Sequence, residues 1–156
     1  MYKRILLAFD GSVEGRTALR EGALLAKSCG AQVHLLSVVS ETGGMAIGEG
    51  AFAGAVALHQ DRYREVLEEG AARLRAMGFN PTAELVVGDP AQAIGEAARR
   101  VGADLVVVGH RRQSLLARWW AGSTGAYLVD SVDCSVLIAR TVISDELFER
   151  SADVVS

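Results

Sequence analysis

Residues 105–124 read LVVVGHRRQSLLARWWAGST. Leu105, Val106, Val107 and Val108 form an apolar run without polar alternation, as expected of a strand covered on both faces. The run stops at Gly109. A basic loop, His110-Arg111-Arg112, follows, and Gly122-Ser123-Thr124 then opens what reads as a helix. A helix start leaves backbone N–H groups without intrahelical partners. In open α/β proteins, a buried strand ending at glycine shortly before such a start is where phosphates are held.

Outward from this stretch, strands and helices alternate. Ile5 to Phe9 is a second continuous apolar run, broken by Asp10-Gly11-Ser12. A helix is expected from there to Cys29, with Leu19, Ala23 and Ala26 on one face and Gly30 as its stop. Gln32–Val39 reads as a strand. Residues 40–54 contain five glycines without a clear period, which predicts a mobile loop or a lid. From Ala55 the helical period returns: Tyr63, Val66, Leu67, Gly70, Leu74 and Met77 share one face. Thr82–Val87 reads as the third strand. Gly88-Asp89-Pro90 then supplies a turn, a carboxylate cap and a proline at the first helical position. A helix through Ile94, Ala97, Ala98 and Val101 stops at Gly102. The fourth helix is expected from Gly122 to about Val132, and the fifth strand over Ser135–Ala139. This alternation predicts a doubly wound, flavodoxin-like α/β fold, a five-stranded parallel sheet with helices on both faces. Residues 141–156 read as a peripheral tail or short helix.

Composition narrows the class. The chain has 156 residues, half of them hydrophobic and 22% charged, so one domain with a real core is expected. A net charge of −3 argues against a broad nucleic-acid footprint. No apolar run approaches the roughly 18 residues of a membrane span, and nothing reads as a signal peptide. Cys29 and Cys134 are far apart and form no metal-type spacing, so two free thiols in a reducing cytoplasm are expected.

At the carboxyl edge of such a sheet the loops meet at the topological switch point. There Asp10 can accept hydrogen bonds from ribose hydroxyls, and the backbone near Val38 can read an adenine edge. Gly109 and Gly122 let phosphate approach the main chain, and Ser123 and Thr124 add hydroxyl donors. Each has a plainer reading: Asp10 and Asp89 as helix caps, Gly122-Ser123 as a simple helix start, and Arg111, Arg112 and Arg118 as a solvated face. Leu115/Trp119 and Leu116/Trp120 fall at i, i+4, which suits covering a sheet edge or a partner better than stacking on a base. His34 reads as structural. No P-loop, hydrolase elbow or metal-ligand spacing occurs.

These residues resemble the universal stress protein family of UspA type. The resemblance rests on Ile5–Ser12, on Ala103–His110 and on Cys134-Ser135-Val136-Leu137-Ile138, and it runs from Lys3 to Arg140. It implies a flavodoxin-like, adenine nucleotide alpha hydrolase-like domain over residues 1–140, with 141–156 as a C-terminal tail. It also implies a homodimer through the last strand, Ser135–Ala139, in the cytoplasm, with an unknown protein partner as a further possibility and no nucleic acid or membrane. One branch of the family binds ATP through G-x2-G-x9-G-[ST]. Here Gly109 and Gly122-Ser123 keep that spacing, and Arg112 replaces the middle glycine. Arg112 either fills phosphate space or supplies a guanidinium to the phosphates.

The expected function is therefore a stress-response regulator binding ATP or a related adenine nucleotide, to which Mg²⁺ could be attached. Asp10, Val38, Gly109, Arg112, Gly122, Ser123 and Thr124 would form its site. The alternative is an interaction module of the same fold that has lost nucleotide through Arg112. Strong catalysis is not expected, a slow ATPase at most, because Asp10 and His110 are the only nearby candidates for a base.

Overall fold

The computed structural model describes residues 1–11, 13–39, 52–109 and 128–153, and their side chains except at 13–14, 52–59 and 151–153. Within them the chain runs β1 (Arg4–Ala8), α1 (Val13–Cys29), β2 (Gln32–Val39), α2 (Phe52–Ala76), β3 (Thr82–Val87), α3 (Pro90–Val101), β4 (Leu105–Gly109), α4 (Leu128–Ser131), β5 (Ser135–Ala139) and α5 (Asp145–Asp153). The strands form one five-stranded sheet in the order β3-β2-β1-β4-β5. Every neighbouring pair is parallel. The expected doubly wound, flavodoxin-like α/β architecture is present. Flavodoxin itself has the order 2-1-3-4-5; the present order instead puts β1 at the centre and the switch point between β1 and β4.

Alternation along the strands divides the core into two layers. Ile5, Leu7, Phe9, Val33, Leu35, Leu105 and Val107 face α1 and α2, where Leu19, Ala23, Ala26, Leu67, Ala71 and Leu74 cover them. Leu6, Leu36, Val106 and Val108 face the other way, against Ile94, Ala97, Ala98, Leu128 and Val132. Both faces are apolar, which is why the strand sequences read as continuous runs rather than alternating ones. The bounds of β2, β3 and β5 coincide with those read from the sequence. For the helix expected from Gly122, Leu128–Ser131 is the described part.

After β5 the chain forms the short helix α5 over Asp145–Asp153, one of the two readings of this stretch. Arg20 on α1 fastens it. Its guanidinium donates to the Ile143 carbonyl at 2.7 Å, pairs with Asp145 and lies over the Phe148 ring at 5.6 Å. Among the described residues, no helix is long and apolar enough to cross a membrane.

The amino edge of the sheet is tied shut. Asp104 accepts from the Lys3 N–H at 2.8 Å and the Arg4 N–H at 3.1 Å, while its own N–H donates to the Arg4 carbonyl at 3.0 Å. Nearby, Gly102 caps α3 in the left-handed region at φ 64, donating to Ala98 and Arg99. On the same edge His34 shares a hydrogen bond with Thr82, and burial, with Arg4 beside it, pushes the imidazole below its ordinary pKa. It is structural, as its place in a strand implies.

Burial works to raise the Asp104 pKa, but the backbone N–H groups of Lys3, Arg4 and Asp104 itself, with the Arg4 charge, outweigh it and hold the carboxyl below its ordinary value. A folded-state pKa below the unfolded one stabilises the protein fully above the unfolded value, near 4. That contribution disappears as pH falls through the lower folded value. Asp104→Ala is expected to lower stability by about 1 kcal/mol at pH 7, given partial solvent screening. The difference from the native chain should shrink towards pH 3, as measured by urea unfolding across pH.

Candidate functional site

At the opposite, carboxyl edge the geometry starts at the exit of β1. The Phe9 N–H donates to the Leu36 carbonyl at 2.8 Å. The Phe9 carbonyl accepts from the hydroxyl of Ser37, the one fully buried polar side chain among the described residues. The strand is thus held to β2 for one residue beyond Ala8 before it turns away. The turn needs glycine twice over. Gly11 sits at φ +73, and a Cβ there would fall 2.6 Å from a methyl of Val66 on α2. The partly buried Asp10 is carried by this turn.

Extending the β1–β2 register by two residues sets Val38 opposite Asp10. Main-chain groups of alternate residues in a parallel strand point to the same neighbour. Leu36 offers its carbonyl to β1, at Phe9, and Val39 offers its own to β3, where Gly88 donates at 3.0 Å. The N–H and C=O of Val38 therefore turn towards β1, just where that strand leaves the sheet. On the other side of β1, Gly109 is buried, pairs with Ala139 and stands opposite Phe9 by continuation of the β1–β4 register. With strands about 4.8 Å apart, Val38 and Gly109 straddle Asp10 across roughly 10 Å.

Three of the expected residues, Asp10, Val38 and Gly109, are thus brought to one crevice by the sheet. Arg112, Gly122, Ser123 and Thr124 lie outside the described residues, as do His110, the tryptophans at 119 and 120, and the glycines at 43–50. Asp89 proves to be a cap: its carboxylate accepts from the Gln92 N–H at 3.0 Å, with Pro90 opening α3. The described residues contain no cluster of three or more His, Cys, Asp or Glu able to hold a metal. Cys29 and Cys134 are free thiols, and burial, with Asp104 and Asp133 nearby, raises the Cys134 pKa, which keeps it protonated.

A carboxylate can accept hydrogen bonds here, and beside it the N–H and C=O of a single residue offer one donor and one acceptor. Two residues that shape the crevice do not stand out in the sequence as parts of it. Ser37 carries a signal, a hydroxyl inside an otherwise apolar strand. Val66 carries none, because only the packing of α2 brings it to Gly11.

An open, doubly wound sheet with a crevice at its switch point defines the class. The chain belongs to the universal stress protein family, whose profile matches residues 1–140. A universal stress protein of Thermus aquaticus is 32% identical over 143 residues, covering 90% of this chain and 100% of the relative. A crystal structure of a family member from Burkholderia pseudomallei is 27% identical, with a TM-score of 0.68 over 88% of this chain and 95% of that one. A universal stress protein solved in complex with cAMP is 26% identical, with a TM-score of 0.65 over 90% of this chain and 99% of its own.

Because both the positive φ and the Val66 contact forbid a side chain at Gly11, Gly11→Ala should destabilise the fold by about 1–3 kcal/mol. Thermal unfolding would check this. An unchanged midpoint would mean that the turn is not packed on α2 as described.

Proposed function

We propose that this chain is an adenine-nucleotide-binding regulator of the stress response, acting in the cytoplasm as a homodimer with little or no catalysis. The observation that carries the reading is the crevice at the end of β1. The Asp10 carboxylate would accept from the ribose hydroxyls. The Val38 N–H would donate to an adenine ring nitrogen, and its C=O would accept from the exocyclic amine. Gly109, Arg112, Gly122, Ser123 and Thr124 would hold the phosphates, with any Mg²⁺ bound on the phosphate side. The cAMP carried by the relative contains adenosine without a triphosphate, so it supports the nucleoside half of this arrangement more directly than the phosphate half. Neither Asp10, engaged with ribose, nor His110 makes a convincing base for rapid hydrolysis.

Isothermal titration with ATP tests the site. Binding with heat is expected, and Asp10→Ala should weaken it about ten- to a hundredfold, the worth of a charge-assisted hydrogen bond. Silence at millimolar ATP, with no thermal stabilisation, would remove the nucleotide from the reading. Arg112, in place of the motif's middle glycine, favours one other possibility, an interaction module with a lost site. That module is the answer if ATP binds Arg112→Gly but not the native chain.

The sheet edges support the homodimer. Both β3 and β5 lie at an edge. β3 carries Glu84, paired with Arg100, a charge of the kind that discourages edge pairing. β5 carries no charge, and its Val136, Leu137 and Ile138 are only partly buried within the single chain. Light scattering should give twice the 16.5 kDa of one chain. A 16.5 kDa species at every concentration would exclude the pairing.

A further inference from the structure

The helix α2 is longer than the sheet it covers. It spans 25 residues, about 37 Å, and runs back from the carboxyl edge over β2 and β3. Its contacts fix where the sheet ends beneath it. A Cβ on Gly70 would fall 2.8 Å from the Phe9 ring, and Val66 is the side chain pressed on Gly11. Phe9, one residue past β1, is still held to β2, and Gly11 already belongs to the turn. Residues 52–65 therefore stand beyond the carboxyl edge for about 21 Å, as a wall beside the crevice.

One stripe of α2 faces inward: Leu74, Ala71 and Leu67 are buried in the core. Stepping four residues back from Leu67 gives Tyr63, and three more give Gln60, so the stripe continues past the sheet. Tyr63 and Gln60 are half-buried, whereas Asp61, Arg62, Arg64 and Glu65 are exposed. The ion pair of Arg64 with Asp61 at 3.3 Å lies among those exposed residues. Tyr63 thus sits one turn beyond the Gly11 contact, on the face turned to the sheet. It also belongs to the helix that covers β2, the strand whose Val38 backbone points into the crevice.

We infer that Tyr63 is a binding and specificity residue of this crevice, the aromatic wall against which the adenine ring of the nucleotide stacks. The inference rests on the adenine-nucleotide reading above. It assigns the flat, apolar contact that Asp10 and the Val38 backbone, both in-plane polar groups, do not provide. An aromatic face beside a purine is worth about tenfold or more in affinity. The ring, rather than the phenol hydroxyl, would supply it, so phenylalanine would serve nearly as well.

The test uses the full chain with ATP, and Tyr63→Phe and Tyr63→Leu beside the native protein. Tyr63→Leu keeps an apolar group on the stripe, and its unfolding midpoint when free is measured beside those of the native chain and Tyr63→Phe. It should bind ATP at least about tenfold more weakly, while Tyr63→Phe stays within about threefold. Proton NMR of the saturated native complex should show the adenine H2 or H8 moved upfield by the ring current, with Tyr63→Phe retaining the shift. Native ATP affinity in Tyr63→Leu, or bound adenine protons without that shift, would overturn the inference while leaving the crevice itself in place. Weaker binding accompanied by a lowered midpoint in the free chain, and not restored by phenylalanine, would mean a purely structural tyrosine. A native chain that takes up no ATP would instead remove the site reading on which the inference stands.

Discussion

β1 is the central strand of this sheet, and how it leaves the sheet determines what the carboxyl edge can do. Phe9, the residue just beyond the strand, is held through both main-chain groups: the N–H by the Leu36 carbonyl, the carbonyl by the buried Ser37 hydroxyl. A buried carbonyl or hydroxyl left without a partner costs on the order of 1–3 kcal/mol, so this pairing defines the point of departure sharply. Two residues later Gly11 must turn at φ +73 against Val66. The departure uncovers the main-chain groups of Val38 on one side and leaves Gly109 on the other. A strand running two residues further would have closed the crevice with ordinary ladder hydrogen bonds.

The two edges of the sheet are accordingly built for different purposes. At the amino edge, Asp104 caps the start of β1, and α3 ends at the left-handed Gly102 close by. Charge there is spent on hydrogen bonds within the fold. At the carboxyl edge, Asp89 is used in the same way, as the cap of α3. The helices differ in the same sense. α1 is clamped along its side by Arg20 to the C-terminal helix, whereas α2 packs on the β1 exit through Gly70 and Val66 and continues past it.

Much of this is legible in the amino-acid sequence. The continuous apolar runs at 5–9 and 105–108 announce strands buried on both faces. Asp89-Pro90 and the glycines at 30, 78 and 102 mark helix ends within a residue or two, since caps and stops follow from local backbone sterics. The grouping of Asp10, Val38 and Gly109 is legible as well, but only through the rule that parallel strands deliver their loops to one edge. The part played by Ser37 is half visible, as a hydroxyl in an apolar strand. The contact of Val66 with Gly11 and the overhang of α2 are not visible. Residues far apart in the chain meet there because of where the helix packs, which no local pattern encodes.

The sequence by itself determined the alternation of strands and helices, their apolar faces and the family to which the chain belongs. The alternation and the apolar faces depend on period, propensity and capping, which act within a few residues, whereas the family shows in the resemblance of the motifs at 5–12, 103–110 and 134–138. Only the tertiary structure decided the strand order, and with it the position of the switch point beside β1. It alone also decided which way the Val38 backbone points and how far α2 reaches beyond the sheet. Each of these depends on which strands become neighbours and at what register. That choice is made by burying two apolar faces at once, a constraint on the whole chain rather than on any stretch of it.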